Sequence, residues 1–350
     1  VSRFGSATID SRLRKGCIPY RRASVGVEIF EIIQPGIFTT VQDLGRKGYL
    51  ASGIPPSGAM DRFSLKMGNL LLKNSLGEAG IEMTAAGATI RVLQDTVIAF
   101  TGGVFDIKKN GKPIPQWEAV AVQKGDILAA GRAKNGWRGY LCMAGGVDVP
   151  VILGSKSTYT MGALGGFRGR PIKKEDIILS GPSPEASSLL QGRRAKKDIL
   201  PDLDDAKTLR VVMGPQDDYV AEESIEKFLT SSYKVSSKAN RVGYRFEGPQ
   251  FKFKELEKAK DAGSDPSNIV DDGNAIGAIQ IPGGVEPICL AVDGVSMGGY
   301  VKIACLIAAD MDRMAQLKIG DSMRFESVTV DQARNILQQA EERVSEENIE

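Results

Sequence analysis

The chain has 350 residues, enough for two domains of ordinary size, and its 45 Lys and Arg against 43 Asp and Glu leave a formal net charge of +2. That balance gives no electrostatic reason to expect nucleic acid or an anionic membrane as partner. Histidine is absent, which removes Ser-His-Asp and Cys-His catalysis, His-ligated metal sites and imidazole base chemistry together.

In chain order, residues 1–26 carry six basic groups (Arg3, Arg12, Arg14, Lys15, Arg21, Arg22) against one acid, Asp10. Without the apolar core of a secretory signal or an amphipathic pattern, they read as an appended or disordered extension, with a targeting peptide as the alternative. Residues 27–182 show short apolar runs such as ATIRVL, VIAF and GYLCMA, broken by Gly, Asn-Gly or Pro roughly every eight to twelve residues, the signature of a β-rich barrel or sandwich. Asn110-Gly111 is a two-residue hairpin signal. One helix is predicted in this half, from about Asp61 to Leu76, with Asp61 as its cap.

Residues 183–207 turn polar and proline-bearing and read as a linker. Strands resume over residues 208–330, with a short helix at YVAEESIEKFLTS, and residues 331–350 form a charged helix that packs and then frays. The fold class is therefore mainly β with a few helices. VQKGDIL at Val122 to Leu128 and LKIGDSMRF at Leu317 to Phe325 echo one another around a Gly-Asp step, consistent with a duplicated barrel. Four cysteines (Cys17, Cys142, Cys289, Cys305) form no C-x-x-C pair, and the last three lie in apolar runs, as buried reduced thiols do. No run of about 18 apolar residues occurs, so no transmembrane helix is expected and the expected location is cytoplasmic.

The polar groups that could carry chemistry cluster among glycines. Thr39 to Asp61 packs Gln42, Asp43, Arg46, Ser57 and Asp61 around Gly45, Gly48, Gly53 and Gly58. Such a backbone suits either a site or a hairpin whose Asp and Arg pair with each other. GSKSTYTMGALGGFRGR holds Ser155, Lys156, Ser157, Thr158, Arg168 and Arg170, with glycines able to turn amides toward an anion. It is not a P-loop, because Ser155 separates Gly154 from Lys156. In the second half Arg241 and Arg245 lie four apart. On a strand both would face one side and could clamp a carboxylate, or they could pair with acids such as Asp217, Asp218 or Glu247. The blocks GAIQIPGG and DGVSMGGYVK add Gln280, Asp293, Ser296 and Tyr300.

These blocks also carry a resemblance. TTVQDLGRKGYLASGIPPSGAMD, GIEMTAAGATIRV, FTGGVFDIKKNGKPIP, VVMGPQDDYV, NRVGYRFEG and the segment Gly277 to Phe325 resemble, in order, the 5-oxoprolinase C-subunit family. That family is also called KipA-like or allophanate hydrolase subunit 2-like, and it is related to the carboxyltransferase domain of urea carboxylase. The resemblance spans roughly residues 27–330. It implies tandem cyclophilin-like β-barrel domains and an ATP-dependent opening of 5-oxoproline to glutamate, in complex with two other polypeptides, a KipI-like B subunit plus the 5-oxoprolinase A subunit. Gln42, Asp43, Arg46 and Asp61 would be catalytic. Ser57, Ser155, Lys156, Ser157, Thr158, Arg168, Arg170, Arg241, Arg245, Gln280, Asp293, Ser296 and Tyr300 would hold a small amide substrate or anionic group. ATP with magnesium would be shared with a partner, and the chain itself would bind no resident metal.

Two other readings stand beside it. One is the carboxyltransferase component of a biotin-dependent urea or amide carboxylase, with biotin supplied elsewhere since the chain has no Met-Lys-Met acceptor. The other is a non-catalytic KipA-type regulator of a KipI-like kinase inhibitor. Val295-Ser296 after Asp293-Gly294, Val301 after Gly-Gly-Tyr and Asp271-Asp272 depart from the family's usual pattern, which bears on substrate more than on fold.

Overall fold

The structure is a computed structural model that describes residues 26–204, 207–255 and 262–350. The basic extension, apart from Gly26, and Cys17 fall outside the described residues. Nine strands form the first half: β1 Val27–Gln34, β2 Phe38–Gln42, β3 Gly80–Thr84, β4 Thr89–Val92, β5 Thr96–Lys109, β6 Lys112–Pro113, β7 Ala119–Val122, β8 Ile127–Met143 and β9 Ile177–Ser180. They make one sheet in the order β2-β3-β8-β4-β1-β9, with β5 pairing β6, β7 and β8.

The second half contributes β10 Thr208–Met213, β11 Tyr233–Val235, β12 Gly243–Glu247, β13 Asn268–Gly273, β14 Ala278–Gln280, β15 Ile288–Leu290, β16 Met297–Tyr300, β17 Lys302–Leu306 and β18 Ser322–Ser327. Seven of these close a barrel in the order β10-β17-β14-β15-β12-β11-β18, and β13 and β16 form a separate two-stranded arm. The expected β-rich architecture is present, with the closed ring in the second half and a nine-stranded sheet in the first.

Alternation in the sequence sets both cores. Phe30, Ile32, Ile81, Ile90, Phe100 and Leu141 point inward from the first sheet. Phe228, Tyr233, Phe246 and Phe325 fill the barrel, with Phe228 stacked on Phe325 at 4.5 Å between ring centroids. Each such ring stabilises by about 1.5–3 kcal/mol relative to exposure. The long strands β5 and β8 bend through register shifts after Gly102. Gly102 has φ +95°, and a Cβ there would stand 2.4 Å from Arg138 O, so the bend requires glycine.

Helix α1, Arg62–Leu71, is capped by Asp61, whose carboxylate accepts from Ser64 N. It ends earlier than the sequence suggests because Lys73 turns left-handed at φ +52°. Asn110 and Gly111 both take positive φ, as a two-residue hairpin turn demands. The Gly-Asp echo is a shared turn: Gly125 and Gly320 have φ of +92° and +88°, and Asp126 and Asp321 each accept a backbone N–H from three residues back, at 2.8 and 2.9 Å.

The polar stretch after residue 182 is packed rather than tethered. It holds α2, Ser187–Leu190, and buries Leu190 and Ile199. Among the described residues the remaining helices are α3 Glu222–Thr230, α4 Met311–Gln316 and α5 Val330–Glu342. The end of the chain does not fray as expected. Arg194 and Glu350 exchange backbone hydrogen bonds at 2.8 Å each. Cys142, Cys289 and Cys305 are free thiols, and burial pushes Cys142 up to about 12.

Candidate functional site

β2 ends at Gln42 and the chain turns sharply at Asp43 to Gly45. Asp43 Oδ1 accepts from Gly45 N at 2.7 Å, Ser155 Oγ at 2.7 Å and Ser157 Oγ, while Oδ2 accepts from Lys156 N at 2.6 Å. The glycine-bearing loop around residues 154–158 does turn its donors toward an anion, and that anion is Asp43 of the same chain. Burial of a carboxylate demands such donors, so the contact is first of all structural. Lys156 Nζ is spent on Glu78 at 2.5 Å, and Thr158 Oγ1 donates to Val41 O at 2.9 Å.

Arg46 is different. Its side chain is 1% exposed, and Nη2 donates to Ser157 O at 2.5 Å, but Nε and Nη1 meet no acceptor among the described residues. Burial lowers its pKa, and the charges of Asp43 and Asp293 push back. Two neighbours share its condition. Gln42 donates to Thr40 Oγ1 at 2.9 Å and Thr158 O at 3.2 Å but leaves Oε1 unpaired. Ser57, held at φ +56° with its N–H on Val292 O at 2.9 Å, leaves Oγ unpaired. Buried polar atoms without partners cost about 1–3 kcal/mol each, so a cluster of them calls for an explanation.

The bond from Ser57 to Val292 shows that this cluster lies where the two halves meet. Across the same junction Arg241 Nη1 donates to Glu82 Oε1 at 2.6 Å and Nη2 to Gly58 O at 2.8 Å, while Nε donates to Asp293 Oδ2 of its own half at 2.9 Å. Glu82 also accepts from Tyr140 Oη at 2.7 Å and Met60 N at 2.9 Å, with Arg138 Nε at 3.9 Å. Burial alone would raise the Glu82 pKa, but Arg241, Arg138 and these hydrogen bonds outweigh it and hold Glu82 below the usual carboxylate range. The result is a buried run of alternating charge, Glu82, Arg241, Asp293, Arg46, Asp43, through both halves.

Asp61 does not join it. Beyond capping α1 it accepts from Ser64 Oγ and from Gln316 Nε2, each at 2.6 Å. Beside it Asp312 of α4 accepts from Arg62 N at 2.7 Å and Phe63 N at 3.2 Å. Burial, with repulsion from Asp61, pushes Asp312 up to about 7. Both carboxylates line a cavity of about 290 Å³ between α1, α4 and α5.

The four arginines of the second and third polar blocks go to different places. Arg241 lies before β12 and enters the junction, whereas Arg245 pairs with Glu286 at 2.9 Å on the barrel wall, so the two form no clamp. Arg170 is bidentate to Asp176 at 2.7 and 2.8 Å, and Arg168 is exposed over Phe167. Gln280 donates to Asn274 Oδ1 at 3.1 Å, Ser296 accepts from Asn274 N through its carbonyl at 2.8 Å, and Tyr300 is exposed at the end of β16. The structure thus gathers Gln42, Asp43, Arg46, Ser57, Ser155, Ser157, Thr158, Arg241 and Asp293, joins Lys156 to them through its backbone N–H alone, and holds the others elsewhere. Glu82, Arg138, Tyr140, Gln316 and Asp312 were not singled out from the sequence. Only Glu82, an acid inside the apolar strand GIEMT, carried a usable signal.

Among the described residues no three His, Cys, Asp or Glu side chains are grouped to hold a metal, and Lys156 and Arg170 are already paired.

Fold and junction together define a two-part β protein whose polar loops meet between a curved sheet and a closed barrel. The chain belongs to the family described as carboxyltransferase domain, subdomain A and B, which matches residues 52–327. It is 38% identical over 317 residues to a urea amidolyase of Lachancea kluyveri, covering 88% of this chain and 17% of that protein. It is 32% identical over 305 residues to the 5-oxoprolinase C subunit of Escherichia coli K12, covering 87% of this chain and 93% of that one. The crystal structure of K. lactis urea amidolyase superposes with a TM-score of 0.85 at 34% identity, over 93% of this chain and 21% of that chain. The chain therefore spans about a sixth of the urea amidolyase it matches and nearly all of the 5-oxoprolinase relative.

Proposed function

We propose that the chain acts as the C subunit of an ATP-dependent 5-oxoprolinase, supplying one wall of a site that two further polypeptides complete, the A subunit together with a KipI-like B subunit. The observation that carries this reading is Arg46, a buried guanidinium at the junction with two of its nitrogens, Nε and Nη1, unpaired among the described residues. Beside it stand an unpaired carbonyl oxygen on Gln42 and an unpaired hydroxyl on Ser57. Donors and an acceptor side by side complement a molecule carrying a carboxylate, a carbonyl and an amide N–H, as 5-oxoproline does. An unactivated lactam opens only when its carbonyl is activated, and fixed donors then stabilise the charge that develops on oxygen. In this reading the partner subunits bind ATP. The match to nearly the full length of a protein named as the C subunit of 5-oxoprolinase supports the same reading.

A second reading, carboxyl transfer from a biotin carrier to urea or a similar amide, is favoured by the higher identity to urea amidolyase. There Arg46 would hold the carboxyl group in transit. The deciding experiment reconstitutes the chain with the A and B subunits and follows glutamate formed from 5-oxoproline with ATP. A parallel arm supplies urea, bicarbonate, biotin carboxylase and biotin carrier. Glutamate formation is expected; carboxylated urea without glutamate would move the assignment to the second reading. Binding of the B subunit with neither product would leave the regulatory role.

A further inference from the structure

A second group of polar side chains lies away from the junction, at the end of the barrel beneath the β13 and β16 arm. Gln280 on β14 and Lys302 on β17 are direct cross-strand partners. The Lys302 side chain is 3% exposed, yet its ammonium donates to Asp272 Oδ2 at 3.1 Å on a side chain that is 53% exposed. Gln280 Nε2 donates to Asn274 Oδ1 at 3.1 Å. Asn274, itself 4% exposed, leaves Nδ2 without an acceptor. Both amide nitrogens face Gly298 of β16, where a Cβ would stand 3.0 Å from Asn274 Nδ2 and 3.1 Å from Gln280 Nε2.

The ammonium faces one rim carboxylate, Gln280 Nε2 takes up the Asn274 amide oxygen, and Asn274 Nδ2 finds no acceptor among the described residues. A buried ammonium whose counter-ion stands in solvent is poorly compensated, and an unpaired buried amide adds to the cost. A ligand that brought two oxygens and one negative charge would answer both deficits.

We propose that this cluster is a binding site for the carboxylate of a small organic acid, with Lys302 supplying the charge, Asn274 and Gln280 the directional donors, and Asp272 displaced toward solvent. One cation beside one acid matches a monoanion better than a phosphate dianion. The site stands independently of the reading given to Arg46.

Binding is measured on the full chain by the rise in thermal midpoint with sodium acetate against sodium chloride at equal ionic strength, with inorganic phosphate as a second probe. Acetate is expected to stabilise beyond chloride, and to go on doing so in Arg46→Met, where the junction guanidinium is gone, which separates this cluster from the junction. Asp272→Asn removes the competing rim charge and is expected to tighten acetate binding by about fivefold, whereas Lys302→Met is expected to abolish it. Equal effects of acetate and chloride, an effect of phosphate alone, or an acetate affinity unchanged in Asp272→Asn would each overturn the proposal. The last of these decides even where Lys302→Met does not fold.

Discussion

Replacing Arg241 by Met tests the physical claim that one guanidinium joins the two halves. The substitution keeps much of the side-chain volume but deletes three donors, to Glu82 Oε1 at 2.6 Å, Asp293 Oδ2 at 2.9 Å and Gly58 O at 2.8 Å. Glu82 and Asp293 are 1% and 4% exposed, so neither recovers water in exchange. Breaking a buried pair in this way costs about 3–5 kcal/mol, because a charge remains buried without its partner. With a urea slope of about 3 kcal/mol per molar, the unfolding midpoint should fall by about 1–1.7 M. The fluorescence of Trp137, whose backbone N–H donates to Gln316 Oε1 at the junction, reports the transition. Adding Glu82→Gln should return part of the loss, since it removes one of the stranded charges, and the non-additivity measures the coupling. Acid should mimic the variant. Glu82 is held below its ordinary value, so its contribution is present above the unfolded carboxylate range and is lost as pH falls through the folded value. A loss below about 1 kcal/mol for Arg241→Met, typical of an exposed pair, would refute the reasoning.

Asp312 has the opposite sign. Its pKa is raised to about 7, so the folded chain binds that proton more tightly than the unfolded one. Its contribution to stability therefore declines as pH rises from the ordinary carboxylate range to about 7; Asp312→Asn should flatten that decline in a pH series of midpoints. Arg168→Ala should leave the reconstituted turnover within about twofold of wild type, since Arg168 is exposed over Phe167. Gly166→Ala should destabilise by at least about 2 kcal/mol by urea titration, as its backbone has φ +52° and a Cβ would stand 1.8 Å from Thr158 Oγ1.

Local rules in the sequence reached the elements that local physics determines. The Asn110-Gly111 hairpin, the Asp61 cap and the Gly-Asp turns each follow from two or three adjacent residues. The polar blocks were also legible, because glycines among charged groups mark tight backbone. Which charges meet was not legible. Arg241 and Glu82 are 159 positions apart, and nothing local distinguishes Arg241, sent to the junction, from Arg245, left on the barrel wall. Asp61 reads equally well as cap and as acid, and only the position of Gln316 and Asp312 shows that it serves the helix. The loop at 154–158 reads as an anion seat, and the carboxylate it holds is that of Asp43, just past the end of β2.

Arg46→Met, assayed for glutamate formation with the A and B subunits alongside its own urea unfolding midpoint, separates a working guanidinium from a structural one. Losing a buried group with two unpaired nitrogens should leave the midpoint unchanged or higher, while turnover falls by about a hundredfold or more. Turnover within about twofold of wild type, or a collapse of the midpoint matching the loss of activity, would contradict the account.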